Sequence, residues 1–219
     1  MTRSVIEMFE QGQPWTQIAE PDWSAAAFWY EWVALWGGEV CLKNLREESL
    51  QGDKAVADVF GKYFGVKTEQ TCEGVVISRI ADFTPVQSVV ELDCSDFPDL
   101  VPTITITAKE LGMLLNLTGI ESLRLKESDR LAVLEENLKL AGKVAVLRSY
   151  NDHRIAAALV MAGYAVDNTE CIAKSYPRLM EQVRRLTFVV PYRHGEEHTL
   201  PENDNILTID DNDEGKKAA

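Results

Sequence analysis

The chain has 219 residues, of which 46% are hydrophobic and 26% are charged, and this balance is typical of a globular protein with a sizeable core. Lysine and arginine number 22 against 35 aspartates and glutamates, so the net charge is −13. That sign excludes a protein that binds nucleic acid over its whole surface, and any anionic ligand must meet a local cluster of cations.

The sequence contains no candidate segment for membrane insertion or secretion. No apolar run approaches the roughly 18 residues of a membrane helix, and the first residues lack the continuous apolar stretch of a secretory signal. Cys41, Cys72, Cys94 and Cys171 show no C-x-x-C spacing, which favours buried thiols over disulfides or metal ligands. We therefore expect a cytoplasmic protein with no membrane partner and no cofactor.

The first part of the chain predicts a helix, a strand, a second helix and a hairpin. Asp22 is a suitable cap for the first helix, whose apolar residues lie on nearly all sides, as expected for a helix buried by several neighbours. Gly65 would end the second helix, and Glu73 with Gly74 would form the turn of the hairpin. The predicted ranges are 22–36 for the first helix, 39–45 for the strand, 54–65 for the second helix and 66–80 for the hairpin.

The same order recurs further along the chain, so that three similar units begin at Asp22, Asp99 and Asp152. Each unit presents a loop before the N-terminus of a helix, and the alternation of helices with strands predicts an α/β fold. The later ranges are helix 99–112, strand 113–120, helix 131–143, a short hairpin in 143–150, helix 152–166 and helix 178–186. Helix 131–143 has its expected apolar stripe at Leu131, Leu134, Leu138 and Ala141.

The end of the chain differs from the rest in charge. Residues 196–219 carry eight acidic residues against two lysines and few large apolar groups. A segment of this composition cannot bury enough apolar surface to fold by itself. The sequence therefore predicts one domain over 1–190, followed by an acidic, disordered tail over 191–219.

Three loops place cations next to predicted helices. Lys126 and Arg130 are four residues apart, a spacing that would direct both side chains the same way on a helical turn. Arg154 and Lys174 lie in two further loops. Because helix N-termini carry partial positive charge, these cations in an acidic protein predict an anion pocket. The three loops cover 125–130, 150–154 and 171–177.

Less specific interpretations of the same residues remain open on spacing alone. Glu127 and Asp129 would pair locally with Lys126 and Arg130 as ordinary surface ion pairs. His153 would be a structural histidine rather than a base. A metal site built from the three histidines of the chain, two of which lie near the tail, is disfavoured.

The three loops together resemble the signature segments of a known family. The motifs KESDR from Lys126, NDHR from Asn151 and AKSYP from Ala173 are similar to those of the 3-phosphoshikimate 1-carboxyvinyltransferases, or EPSP synthases. The resemblance covers about 3–186 and is to the C-terminal half of the family's members. Three further segments agree in the same order: PDWSAAAFWYE from Pro21, SLQGD from Ser49 and FPDLVPT from Phe97.

The resemblance implies a fold and a reaction. The family's fold repeats a βαβαββ unit with helices inside and sheets outside, and the third repeat would be incomplete here. The family catalyses attack of the 5-hydroxyl of shikimate 3-phosphate on phosphoenolpyruvate, followed by loss of phosphate from a tetrahedral intermediate. Members have two similar domains that close on the substrates, and this chain matches one, so we expect half an active site that needs a partner half or a homodimer.

The resemblance also implies roles for individual residues. Asp99 would be the carboxylate near the attacking hydroxyl, Glu127 its acid–base partner, and Lys126 a contact of the shikimate hydroxyl that donates or accepts a proton. The cations Arg130, Arg154 and Lys174 would hold the carboxylate and phosphate of phosphoenolpyruvate. A carboxylate would serve in proton transfer near neutral pH only if its pKa were raised.

Two other functions fit the same motifs. The chain would be a non-catalytic remnant of the family if it still held phosphate or phosphoenolpyruvate without transferring the enolpyruvyl group. The sister reaction on UDP-N-acetylglucosamine shares the fold, but the motifs KESDR and NDHR favour the shikimate branch.

Overall fold

A computed structural model describes residues 20–85, 88–187 and 207–209. The mixed α/β class predicted from the sequence is confirmed by its alternating helices and strands. The helices are α1 (Trp23–Trp36), α2 (Val56–Tyr63), α3 (Val101–Glu110), α4 (Arg130–Leu140), α5 (His153–Met161) and α6 (Leu179–Thr187). The strands are β1 (Glu39–Lys43), β2 (Val66–Gln70), β3 (Gly74–Arg79), β4 (Val89–Asp93), β5 (Leu114–Thr118) and β6 (Leu207–Ile209).

The first helix forms as its sequence predicts. The Asp22 carboxylate accepts a hydrogen bond of 2.8 Å from the Ser24 amide and so caps α1. Gly37, with a φ of 80°, adopts the left-handed conformation that ends the helix. Eleven of the 14 residues of α1 are buried, because helices and strands cover it on nearly every side.

Helix α3 forms although its sequence, VPTITITAKE, is rich in β-branched residues that favour strands. Its hydroxyl groups are buried, and the Thr107 hydroxyl donates a 2.8 Å hydrogen bond to the Thr103 carbonyl one turn earlier. The helix packs against both α1 and α5. Tertiary burial therefore outweighs the local propensity, and the prediction of a helix here is confirmed.

The three helices α1, α3 and α5 pack against one another, and most of their residues are buried. One apolar cluster joins α1 and α2 to the strands β1, β2 and β3, and a second lies among α3, α4 and α5. In the first sheet β1 pairs antiparallel with β3 on one edge and parallel with β6 on the other, while β2 completes the order β2-β3-β1-β6. The second sheet is the parallel pair β4-β5.

The predicted tail over 191–219 lies outside the described residues except for 207–209, which form strand β6. The predicted hairpin within 143–150 is wrong. Leu147 instead makes a single parallel bridge to Val166, and its amide donates to the Ala165 carbonyl at 2.9 Å. Leu147 is buried in the second apolar cluster, so the segment is fixed by packing and one bridge instead of by two paired strands.

The apolar stripe predicted for α4 is shifted. Of the predicted residues, Leu134 is buried, but Leu131 and Leu138 are only half-buried and α4 ends before Ala141. The other buried residues of α4 are Arg130, Val133 and Asn137. The Asn137 amide group donates to the Arg148 carbonyl at 2.9 Å, and the Arg148 amide donates back to Asn137 at 3.2 Å. These hydrogen bonds allow the polar residue Asn137 to lie on the buried face of α4, which an apolar pattern could not predict.

Three of the four cysteines are buried as predicted, but Cys72 is exposed. Burial is the main cause that raises the pKa of the Cys94 thiol, to about 11, so this thiol stays protonated. Across residues 20–85, 88–187 and 207–209, none of the helices combines the length and apolar character needed to cross a bilayer.

Candidate active site

The site is centred on Asp99, which lies in the short 3-10 helix Pro98–Leu100 just before α3. One oxygen, Oδ1, accepts from Arg130 Nη1 at 2.8 Å and lies 3.2 Å from Lys126 Nζ. The other, Oδ2, lies 3.1 Å from Arg154 Nη2. Three of the four predicted cations, which come from two separate loops, therefore meet at one carboxylate.

Arg130 is the buried element of this cluster, with a side chain only 2% exposed. Its Nε donates at 2.7 Å to Oδ2 of Asp152, which is fully buried. The same oxygen accepts from the Ser128 hydroxyl at 3.0 Å, while Oδ1 of Asp152 caps α5 by accepting from the Arg154 amide at 3.0 Å. Arg130 thus joins the start of α4 to the segment before α3 and to the cap of α5.

Glu127 forms a second centre beside the first. Its Oε2 lies 2.9 Å from His153 Nδ1, accepts from the His153 amide at 3.3 Å, and lies 3.6 Å from Lys174 Nζ. Lys174 also donates to the Asn151 carbonyl at 2.9 Å. Tyr150 and Asn151 both have positive φ values, 54° and 57°, and this uncommon backbone turns the Asn151 carbonyl toward Lys174.

The interpretation of these residues as local surface pairs is wrong. Asp129 pairs with Arg124 at 3.1 Å and caps α4 by accepting from the Ala132 amide. Lys126 and Arg130 instead contact Asp99, which lies far from them in sequence. The spacing argument for these two cations also assumed a helical turn, whereas α4 begins only at Arg130 and the preceding loop brings Lys126 to Asp99.

The charges of the site lower the pKa values of two of its carboxylates, Asp99 and Glu127. Burial is the largest influence on Asp99 and would raise its pKa, but Arg154, Lys126 and Arg130 together lower it below the usual value. Burial would likewise raise the pKa of Glu127, and the hydrogen bond and charge of His153 lower it overall. Both groups are carboxylates at neutral pH, so the raised pKa that proton transfer requires is not met in this arrangement.

Asp53, to which the sequence assigned no role, belongs to the rim of the site. Its carboxylate accepts a hydrogen bond from the Ser24 hydroxyl at the start of α1. Burial raises its pKa, which Ser24 and Arg154 lower in part and Asp99 raises further. The charges of Arg154 and Asp99 thus both affect the pKa of Asp53. The only sequence signal was the segment SLQGD, which was used for the resemblance alone.

Gly52, next to Asp53, brings this segment against the one that carries Asp99. A Cβ atom at Gly52 would lie 2.1 Å from the Asp96 carbonyl oxygen, so only glycine allows this approach. Gln51 fixes the other side of the segment, since its side chain accepts from the Trp23 amide at 2.8 Å and donates to the Pro21 carbonyl at 2.7 Å. The segment therefore connects the start of α1 to the position of Asp99.

Glu127, Asp152 and His153 bring potential metal-ligand atoms within 4.8 Å of one another. These groups already have protein partners, because Asp152 accepts from Arg130, Ser128 and Arg154, and Glu127 contacts His153. The buried guanidinium of Arg130 also opposes a cation beside Asp152. The donor set favours hydrogen bonding over metal binding.

The cations of the site now pair with its own carboxylates, and these are the partners that a bound anion would have to replace. Among the described residues that form the site are four cations, Lys126, Arg130, Arg154 and Lys174, and three carboxylates, Asp99, Glu127 and Asp152. The Lys174 side chain is 52% exposed and the Lys126 side chain 32%, so solvent reaches them. An incoming carboxylate or phosphate would compete with Asp99 and Glu127 for these cations.

Comparison with known proteins gives a consistent result over most of the chain. A family model for EPSP synthase (3-phosphoshikimate 1-carboxyvinyltransferase) matches residues 5–183. The 3-phosphoshikimate 1-carboxyvinyltransferase of Methanospirillum hungatei is 28% identical over 196 residues, which cover 80% of this chain and 45% of that protein.

Two further relatives carry the same name. The protein from Bacteroides fragilis is 32% identical over 196 residues, covering 77% of this chain and 47% of that protein. The protein from Clostridium acetobutylicum is 31% identical over 191 residues, covering 76% of this chain and 42% of that protein. The chain therefore spans less than half the length of the curated relatives it matches.

Proposed function

Because the chain belongs to the EPSP synthase family, we propose that it supplies half of an active site for enolpyruvyl transfer from phosphoenolpyruvate to the 5-hydroxyl of shikimate 3-phosphate. The observation that carries this proposal is the convergence of Lys126, Arg130 and Arg154 on Asp99. Two anionic substrates repel each other, and a preorganised cation cluster both offsets that repulsion and stabilises charge that develops at the transferred group.

Substrate binding would change the chemistry of Asp99. The phosphate or carboxylate of phosphoenolpyruvate would attract Arg154, whose side chain is 15% exposed and pairs with Asp99. Arg154 is one of the three cations whose charges lower the pKa of Asp99. Its withdrawal toward the substrate would raise the pKa of Asp99 and make the carboxylate a better proton acceptor for the attacking hydroxyl.

The remaining residues take complementary roles in this proposal. Lys126, beside Asp99, contacts the shikimate hydroxyl and exchanges a proton with it. Glu127 is the second acid–base group, with His153 on the same oxygen. Arg130 and Lys174 complete the hold on phosphoenolpyruvate. Because Arg130 is buried between two aspartates, it acts chiefly by keeping Asp99 and the start of α5 in place.

The same family assignment suggests the arrangement of the whole chain. We infer that the segments containing α1, α3 and α5 are repeats of the enolpyruvyl transferase fold, with the third incomplete, in a domain over 1–190 to which β6 adds one strand from the predicted tail. The partner that completes the site is an N-terminal half or a second copy. A cytoplasmic location, where both substrates would be available, is part of this proposal.

The test is phosphate release from shikimate 3-phosphate and phosphoenolpyruvate by the chain alone, and with the N-terminal half of a full-length relative added in trans. We expect activity with the added half. Arg154→Ala should lower that activity by about a hundredfold or more, as removal of one charge-stabilising donor does. Arg124→Ala, an exposed arginine that pairs only with Asp129 among the described contacts, is the matched control and should leave it unchanged.

A second candidate is a non-catalytic protein that binds phosphoenolpyruvate or phosphate. It is favoured by the share of the relatives that the chain covers, which is under half. Absence of phosphate release from a folded chain, with and without the added half, would reject the transferase. Titration calorimetry with phosphoenolpyruvate then tests the binding protein, which requires binding that is lost in Arg154→Ala and Lys174→Ala.

A further inference from the structure

Four strands of the described chain, β2, β4, β5 and β6, each have one sheet edge without a described neighbour. Strand β5 pairs with β4 on one side, and no other described strand lies on its second edge. The equivalent strand of the first unit is β1, which also has a parallel neighbour, β6, but has the antiparallel strand β3 on its second edge. The comparison shows that an antiparallel strand is the type of neighbour that fits this edge.

The hydrogen bonds of β5 define which backbone groups face outward. The Leu114 amide donates to the Ser88 carbonyl at 3.0 Å, and the Thr118 carbonyl accepts from the Cys94 amide at 2.8 Å, so both groups point toward β4. Backbone groups alternate between the two edges along a strand. The N–H and C=O groups of Leu115 and Leu117 therefore point to the free edge.

The side chains of β5 do not protect this edge. Its sequence, LLNLT, has no charge and no proline, and Leu114 is 67% exposed. One edge strand of the other sheet, β2, carries Lys67 and Glu69, which pair at 2.8 Å on its surface, and such charges oppose edge-to-edge association. In a chain with a net charge of −13, an uncharged edge strand is a place where two copies meet without like charges directly opposite each other.

We propose that β5 is a self-association surface, on which a second copy of this chain adds its own β5 in antiparallel orientation about a twofold axis at Asn116. In this register Leu115 lies opposite the partner's Leu117, and the outward groups of both residues form four hydrogen bonds between the two copies. Asn116 lies opposite itself as a pair without hydrogen bonds, in which side chains approach most closely. The two parallel pairs then form one four-stranded sheet.

Cysteine cross-linking tests both the association and the register. In a Cys72→Ser background, which removes the exposed native thiol, Asn116→Cys should give a disulfide-linked dimer on mild oxidation. Thr118→Cys is the matched control, because it is also exposed but lies opposite the partner's Leu114 and far from its own copy. We expect at least about tenfold less cross-linking at position 118. Equal cross-linking at both positions would overturn the register.

Sedimentation of the unmodified chain provides the second measurement. We expect a monomer–dimer equilibrium that Asn116→Asp abolishes, since the new charges would face each other and lie beside Glu91, which pairs with position 116 in β4. An equimolar mixture of Asn116→Asp and Asn116→Lys should restore the dimer, and Thr84→Asp, an exposed loop change of equal charge, should not affect it. A monomer at the highest soluble concentration, as expected if another segment of the same chain covered β5, would refute the proposal.

Discussion

Replacement of Glu31 by methionine should stabilise the protein, and increasingly so as the pH rises. Glu31 is fully buried in α1, and neither of its carboxylate oxygens has a hydrogen-bond partner. Burial, with a smaller contribution from the charge of Glu110, raises its pKa well above the ordinary value of 4.5. Methionine has a similar volume and removes both unpaired oxygens, each of which costs about 1–3 kcal/mol when buried.

The pH dependence follows from proton linkage. Above pH 4.5 the unfolded chain releases the Glu31 proton while the folded chain keeps it, so the folded state binds more protons and the stability falls as the pH rises. This loss stops once the pH passes the folded pKa. Within that window the advantage of Glu31→Met over the natural chain should grow by about 1.4 kcal/mol per pH unit.

Urea unfolding followed by tryptophan fluorescence, from pH 5 to pH 8, measures this difference, since the chain has five tryptophans. Glu48→Met, which changes an exposed glutamate outside the helices and strands, is the matched control for the loss of one carboxylate. A difference between Glu31→Met and the natural chain that is constant over this range, or a less stable variant at pH 8, would show that Glu31 is ionised in the folded protein.

Three further predictions concern the site as a structural unit. Arg130→Met should lower the free energy of unfolding by about 3–5 kcal/mol in urea titrations, because it leaves Asp152 buried without its cation; an unchanged midpoint would contradict this. Gly52→Ala should lower the melting temperature and weaken phosphoenolpyruvate binding together, because its Cβ would meet the Asp96 carbonyl, and a variant with normal binding would disprove the link to Asp99. Burial would raise the pKa of Asp152, but the hydrogen bond and charge of Arg130, with hydrogen bonds from the Arg154 amide and the Ser128 hydroxyl, lower it overall. The natural chain should therefore lose stability in acid, as the pH falls below the ordinary Asp value of 3.8 toward the folded pKa, and Asp152→Asn should show a smaller loss in acid unfolding curves.

Local sequence signals predicted those parts of the fold that local interactions determine. Helix α1 begins after its capping residue Asp22 and ends at Gly37, which has a positive φ, and both residue types are recognisable signals in the sequence. The prediction of a hairpin within 143–150 was wrong because the conformation there depends on the burial of Leu147 in the second apolar cluster, which is a tertiary effect. Helix α3 was predicted from its place in the repeat, against its own β-branched composition, which shows that the repeat carried more information than propensity.

The cations of the site were predictable from the sequence, but their arrangement was not. The motifs identified Lys126, Arg130, Arg154 and Lys174, yet spacing could not show that three of them share Asp99 while Lys174 lies with Glu127. That division depends on how segments far apart in the sequence pack against one another. The pKa shifts were unpredictable for the same reason, since they are sums of burial and of charges from distant segments.

The burial of Arg130 between Asp99 and Asp152 distinguishes residues of the site that folding alone would conserve from residues that only ligand binding would conserve. These three residues hold the segments before α3, α4 and α5 together, so mutations that remove them would be eliminated in a protein that only needed to fold. Lys126 and Lys174 are partly exposed and would accumulate substitutions in such a protein. Substitution of these two lysines, rather than of the buried arginine, would therefore mark a descendant of this sequence that had lost the proposed anion binding.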